Sequence, residues 1–163
     1  MEHELIVIGG GAAGMMAAIA AAQAGTQVCL LERNPKLGRK LYITGKGRCN
    51  LTNHCSAEEV LANTPRNSRF LYGAMARTTP AWVEEFFRDL GVELKVERGN
   101  RVFPASDRAS DIIDALFFRL RKLNVKIVQD RALSIDMRDG KVVGVTGEQD
   151  RYSCKAVVLA TGG

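Results

Sequence analysis

Residues 4–33 read ELIVIGGGAAGMMAAIAAAQAGTQVCLLER, in which Gly9, Gly10 and Gly11 separate an apolar run from an alanine-rich one. Glycine is the poorest ordinary helix former, so three in a row at this junction mark a demand of the backbone. Leu5-Ile6-Val7-Ile8, within Glu4 to Ile8, predicts a buried strand. Ala12 to Ala24 predicts a helix whose only glycine, Gly14, lies in the first turn, and Gly25 ends it as a C′ residue. Thr26 to Glu32 predicts a second buried strand, so the stretch reads as a βαβ unit with short connections.

The spacing Gly9-x-Gly11-x-x-Gly14 between a strand and a helix is a dinucleotide-binding pattern in its proper context. Gly9 serves the tight turn, Gly11 lets a pyrophosphate approach the backbone, and Gly14 lets the helix lie close to the sheet. The free N–H groups at the helix start face the phosphates. Glu32 closes the second strand 18 residues after Gly14. A carboxylate there can accept both ribose hydroxyls of an adenosine half and repels a 2′-phosphate, which favours FAD or NAD over NADP. An ordinary tight turn with a solvated glutamate is the alternative, and the agreement of strand, glycines, helix and acid argues against it.

The chain has 163 residues, 46% hydrophobic and 25% charged, which suits one globular domain. The longest near-apolar run, Met15 to Ala22, is too short to span a bilayer. The Met-Glu-His-Glu start lacks the basic region of a signal peptide, so the expectation is a cytoplasmic protein with no membrane partner. Cys29, Cys49, Cys55 and Cys154 form no CxxC pair and read as separate reduced thiols. Cys49, His54 and Cys55 lie close together but fit no common zinc spacing, so no metal is expected. The net charge is +5 without a basic run, and an anionic small ligand explains it more simply than nucleic acid.

Asn34 to Asn53 holds Gly38, Gly45 and Gly47 among Arg39, Lys40, Lys46 and Arg48, and reads as a loop with a task or as a mobile linker. Short helices are predicted over Ser56 to Ala62 and Arg69 to Arg77. Thr79-Pro80 starts another, with Trp82, Phe86, Phe87 and Leu90 as its core face. Val92 to Glu97 and Arg101 to Phe103 predict strands about a Gly99-Asn100 turn. Ser110 is expected to cap a long helix with the stripe Ile112, Ile113, Leu116, Phe117, Leu120 and Leu123. Val125 to Val128 is a strand, Ala132 to Met137 and Lys141 to Thr146 form a hairpin across Asp139-Gly140, and Val157 to Ala160 is a buried strand running into glycines. That ending suggests a fragment. With two histidines and no readable Ser-His-Asp arrangement, a hydrolase is not indicated.

VIGGGAAGMMAAIAAAQAGTQVCLLERNPKLGRK resembles the FAD site of the glutathione-reductase-like flavoproteins. GRKLYITGKGRCNLTN, ERGNRVFPASDRASDII and the final VLATGG resemble the narrower bacterial family of aminoacetone oxidase-like or BaiN-like (bile-acid 3-oxo-enoyl reductase-like) FAD enzymes. The resemblance covers essentially the whole chain. It implies that Gly9, Gly11, Ala12, Ala13 and Gly14 lie against the pyrophosphate, and that Glu32, followed by Arg33, holds the adenosine ribose. Arg39 and Lys40 would make pyrophosphate and ribityl contacts. Gly45, Lys46, Gly47, Arg48, Cys49 and Asn50 would run beside the isoalloxazine, Ala132 would read the adenine, and Thr161 and Gly162 would pack beside the glycine loop. Many relatives have glycine where Lys46 stands, so Lys46 either points to solvent or sits near the flavin edge. Full members are longer, with an inserted substrate domain and a C-terminal flavin-contacting segment, so residues 1–163 are expected to be the N-terminal part of an FAD-binding domain.

Arg48 is read as an anchor for its loop more than as a catalytic group, and Cys49 has no partner at dithiol spacing. Asn50 and Asn53 are expected to fix the loop through Asx turns. Arg98, Asn100, Arg101 and Asp107 either face a substrate cleft or are simply solvated. The expected fold is an α/β, FAD/NAD(P)-binding Rossmann-like domain, with a parallel sheet, helices on one face and a small β-hairpin layer on the other. The expected function is FAD-dependent hydride transfer on a small-molecule substrate, with NAD(P)H or O₂ as second redox partner. An NAD dehydrogenase and a non-catalytic flavin-binding module are the alternatives.

Overall fold

The computed structural model describes residues 2–163. In chain order the elements are β1 (Glu2–Ile8), α1 (Ala12–Gln23), β2 (Val28–Glu32), β3 (Thr52–Asn53), α2 (Ala57–Ala62), α3 (Tyr72–Met75), α4 (Pro80–Asp89), β4 (Leu94–Glu97), β5 (Arg101–Pro104), α5 (Ala109–Lys122), β6 (Lys126–Gln129), β7 (Ala132–Arg138), β8 (Lys141–Gly147) and β9 (Arg151–Leu159). They divide into two compact units, one running to Leu41 and resuming at Leu116, the other Tyr42–Ala115.

The first unit is a six-stranded sheet in the order β6-β2-β1-β9-β8-β7. β6, β2, β1 and β9 are parallel, with Ile6 opposite Cys29 and Val157, and Leu31 opposite Val128. Every residue of β2 is buried, as a parallel strand covered on both faces should be. Alternation along the strands makes two cores. Ile6, Ile8, Cys29 and Leu31 pack with Val145, Tyr152 and Cys154 on one face. Val7 and Leu30 are wholly buried on the other, where Met15, Ala18 and Ile19 of α1 are also lost to solvent. The larger of these side chains, Val7, Leu30, Met15 and Ile19, contribute about 1.5–3 kcal/mol each by leaving water. The hairpin turns through Asp139 and Gly140, both at positive φ, as a two-residue primed turn requires. It is continuous with the sheet, because β8 pairs antiparallel with β9, so the hairpin layer forms an edge of the sheet and not a separate sheet.

The second unit holds the three-stranded antiparallel sheet β3-β5-β4. Thr79 caps α4 by accepting from the Trp82 N–H, with Pro80 at the first turn, and Ser56 with Glu59 forms a capping box on α2. Three expectations are corrected. α5 starts at Ala109, so Ser110 lies inside its first turn; Ser106 hydroxyl instead binds the Asp111 carboxylate at 2.6 Å. Of the proposed α4 core face only Phe87 is buried, while Trp82 is 39% exposed and stacks on Phe86. β9 is buried only in alternation at its start, and Leu159 at its end is 67% exposed. The two-residue β3 was missed, being too short to show a period.

Candidate functional site

The glycine turn is built by close backbone contacts within the first unit. Gly9 has φ +108°, and a Cβ there would meet the Ala160 carbonyl oxygen at 2.5 Å and the Thr161 Cα at 3.2 Å. A Cβ at Gly14 would collide with the Gly9 carbonyl oxygen. Gly14 therefore protects the turn itself, in addition to letting α1 approach Ala160 at the end of β9. Gly11 differs from both. Its φ of −80° suits any residue, and a Cβ there would meet nothing within 4 Å. It is the N-cap of α1 without a side-chain cap, and no acid stands in the first turn. The N–H groups of Ala12 and Ala13 thus begin a helix with no protein carboxylate offered to them, while the Met15 N–H already bonds the Gly11 carbonyl at 2.9 Å.

Glu32 ends β2 beside this turn and is only 9% exposed. Its Oε2 accepts from the Gly10 N–H at 2.7 Å, and its Oε1 accepts from the Asn34 N–H at 2.8 Å and from Asn34 Nδ2 at 2.5 Å. Arg39 Nη1 in turn donates to Asn34 Oδ1 at 3.3 Å. The Gly38 N–H donates to the Gly10 carbonyl at 2.8 Å, which folds residues 33–40 back along the glycine turn. Arg33 is exposed. The Lys40 ammonium reaches the Gly163 carbonyl and lies next to Gly162, which has φ +73°. Thr161 and Gly162 follow the Ala160 N–H bond to the Ile8 carbonyl at 2.9 Å. Thus Gly9, Gly11, Ala12, Ala13, Gly14, Glu32, Arg39, Lys40, Thr161 and Gly162 all belong to the first unit, tied together through its backbone.

Ala132 opens β7 opposite Gly147. Two residues before it stands Asp130, which the sequence reading did not single out. Asp130 is 3% exposed, its N–H bonds the Glu32 carbonyl, and its carboxylate accepts from the N–H groups of Arg131, Glu148, Gln149 and Asp150 and from the Tyr152 hydroxyl at 2.7 Å. Burial pushes its pKa up, but the Tyr152 hydroxyl and the backbone donors outweigh burial and hold it below the usual range. Its signal in sequence is faint: an acid just after a strand, with Gly147 seventeen residues later, where any Cβ would strike the carboxylate.

In the second unit Thr44–Gly47 form a turn in which Gly45 and Lys46 are left-handed, and Cys49 is left-handed as well. A Cβ at Gly45 would press on the Asn50 N–H and the Phe103 ring, both at 2.8 Å. Arg48 anchors this loop, as expected, but to carboxylates: its Nη1 is 2.8 Å from Glu97 Oε1 and 3.2 Å from Asp107 Oδ1, and its guanidinium lies 4.1 Å from the Phe103 ring centre. Lys95 completes the network with Asp107 at 2.5 Å and holds that acid below its usual pKa, with Arg48 adding to the effect. Asp107 is therefore paired, and Arg101 Nε donates to the Arg98 carbonyl at 3.0 Å. Asn53 joins β3 and donates weakly to Gly99 at 3.4 Å. Cys49 is 1% exposed and burial pushes its thiol pKa up, against a weaker opposing bond to Thr44; Cys29 is pushed up to about 11 for the same reason. Neither is a poised thiolate. His54 Nδ1 faces Glu84 at 2.8 Å. Among the described residues no group of three or more His, Cys, Asp or Glu side chains is placed to hold a metal.

Residues 3–163 match the family described as the HI0933-like protein Rossmann domain. The chain is 36% identical over 162 residues to the 3-dehydro-bile acid delta(4,6)-reductase of Clostridium scindens, covering 96% of this chain and 38% of that protein. It is 32% identical over 172 residues to the ribosomal RNA dihydrouridine synthase of Escherichia coli, covering 99% of this chain and 40% of that protein. Among solved structures, the 3-ketosteroid-Δ4-(5α)-dehydrogenase of Rhodococcus jostii aligns over 99% of this chain and 46% of that one, with a TM-score of 0.76. At 20% identity that likeness concerns the fold alone. The chain spans about two fifths of the length of these two curated relatives, and it belongs to the HI0933-like Rossmann family.

Proposed function

We propose that this HI0933-like chain is the N-terminal, FAD-binding part of an oxidoreductase that transfers hydride to or from a carbon–carbon double bond conjugated to a carbonyl. The observation that carries the reading is the turn at Gly9–Gly14. It offers uncapped helix N–H groups, no acid in the first turn and open space at Gly11, beside a buried carboxylate at Glu32. These features fit a pyrophosphate on the helix start and an adenosine ribose near Glu32. A 2′-phosphate would meet the Glu32 charge, which disfavours NADP at this site. FAD over NAD is supported by the family-like stretch from Gly38 to Asn53. On that resemblance alone Gly45, Lys46, Gly47, Arg48, Cys49 and Asn50 are proposed as flavin-side residues, and Ala132 as the adenine-side one.

The substrate class comes from chemistry that two relatives' names share. A 3-oxo bile acid with Δ4,6 unsaturation and a uracil ring both carry a C=C next to a carbonyl, and each name describes adding two hydrogens to it. When bound, FAD would supply hydride acceptance and donation. The chain's own residues have supporting tasks. Ala12 and Ala13 present N–H groups to phosphate, Gly11 leaves room for it, and Glu32 orients the ribose. Arg39 and Lys40 place positive charge beside the turn. NAD(P)H is the proposed reductant in the reducing direction, and the cytoplasm the proposed location. Among the described residues no helix is long and apolar enough to cross a membrane.

The test is the visible absorption spectrum of the purified chain with and without FAD, with released cofactor identified by mass. Bound flavin is the expected result. If this chain and a protein of the relatives' full length are both colourless, the flavin reading fails. With the full-length protein, anaerobic bleaching by NADH or NADPH tests the reductant. A 3-oxo-4,6-diene steroid and a uridine-containing RNA fragment then test the substrate class; turnover of neither refutes that part.

A further inference from the structure

The carboxylate of Glu32 is more committed than its place at the end of β2 suggests. A carboxylate offers about four acceptor directions, two on each oxygen. Oε1 accepts from both the N–H and the Nδ2 of Asn34, at 2.8 and 2.5 Å, and Oε2 accepts from the Gly10 N–H at 2.7 Å. Oε1 is full, and Oε2 has one direction left. Asn34 is itself constrained. Arg39 Nη1 on its Oδ1 sets which way the amide faces, Pro35 restricts its backbone to extended conformations, and the Gly38–Gly10 bond of 2.8 Å closes the loop that carries it.

We propose that Asn34 is a positioning and specificity-determining residue: by saturating Oε1 of Glu32 it leaves a single open acceptor on Oε2, so the carboxylate takes one ribose hydroxyl of the adenosine half instead of both. This rests on the nucleotide reading of the glycine turn. It departs from the two-hydroxyl grip expected from the sequence, and it makes Asn34 the residue that decides the difference.

The experiment compares ADP, 2′-deoxy-ADP and 3′-deoxy-ADP binding to flavin-free protein by titration calorimetry, for the wild type and Asn34→Ala. In the wild type one deoxy analogue binds roughly tenfold more weakly than ADP and the other within about twofold, the loss expected for one hydrogen bond to a charged group. In Asn34→Ala a direction on Oε1 opens, and both analogues fall roughly tenfold below ADP. A merely structural role for Asn34 would weaken all three nucleotides alike. Equal losses for both analogues in the wild type, or no loss for either, overturn the proposal while leaving the nucleotide site standing. An Asn34→Ala pattern identical to the wild type also overturns it. If ADP does not bind the wild type at all, the nucleotide reading falls and the proposal with it. The wild-type arm decides the single-acceptor geometry even if the variant does not fold.

Discussion

Gly11 and Gly14 stand three residues apart, yet adding a methyl group to each has opposite consequences. At Gly14 the new carbon lands on the Gly9 carbonyl oxygen, a backbone atom that cannot swing aside. Gly14→Ala is expected to cost on the order of 3 kcal/mol, read as a large fall in the denaturation midpoint. At Gly11 the methyl enters open space at an ordinary φ. Gly11→Ala is expected to keep the wild-type melting temperature and to lose more than tenfold in ADP or FAD affinity. A variant that melts early with affinity intact would reverse those roles. Lys46 is a third case: an exposed residue held at φ +58°. Lys46→Gly should stabilise the protein by about 0.5–1 kcal/mol by removing left-handed strain, as measured by urea unfolding. These backbone angles are invisible in one sequence, which shows a glycine but not which of its missing atoms matters.

The elements show where acids hold pieces together. Glu84 on α4 is 2% exposed and is bound by His54 Nδ1 at 2.8 Å and Arg88 Nη2 at 2.7 Å. Burial raises its pKa, but the His54 and Arg88 bonds outweigh that and leave it lowered. A lowered folded pKa contributes stability above the unfolded carboxylate value and loses it as pH falls through the folded one. Glu84→Gln should therefore be less stable than wild type near pH 7, and the gap should close as pH drops below about 4; a constant gap would show that the charge is irrelevant. Asp130 does the same work at the β6–β7 connection and the β8–β9 turn. Asp130→Asn is expected to cost about 2–3 kcal/mol, seen as a melting temperature lower by roughly 5–10 °C. Ser110, expected as a cap, lies inside the first turn of α5, whereas the Thr79 cap was legible at this scale, since it accepts from a neighbour three residues away. Glu84 was not, because its partner His54 lies thirty residues earlier and α4's pattern draws attention to its aromatics instead.

For the molecule as a whole, strand order predicts a gradient of protection. β1 and β2 lie inside the six-stranded sheet with buried neighbours, while β7 is an edge with Leu133 and Met137 more than half exposed. Hydrogen exchange should be slowest at Leu5–Ile8 and Val28–Glu32 and much faster along β7; protection at β7 equal to that of β1 would contradict this. The sequence alone determined the βαβ start, the glycine turn, Glu32, most helix boundaries and the hairpin, because each depends on local period, capping or turn chemistry within a few residues. Tertiary structure alone decided what lies far apart in the chain. It joined the hairpin to the sheet through β9, turned Trp82 outward, and gave Arg48 to Glu97 and Asp107. It also built the Asp130 hub and spent three of the acceptor directions of Glu32 on Gly10 and Asn34. Such bonds depend on which backbone groups the fold leaves unpaired, and a one-dimensional pattern does not carry that information.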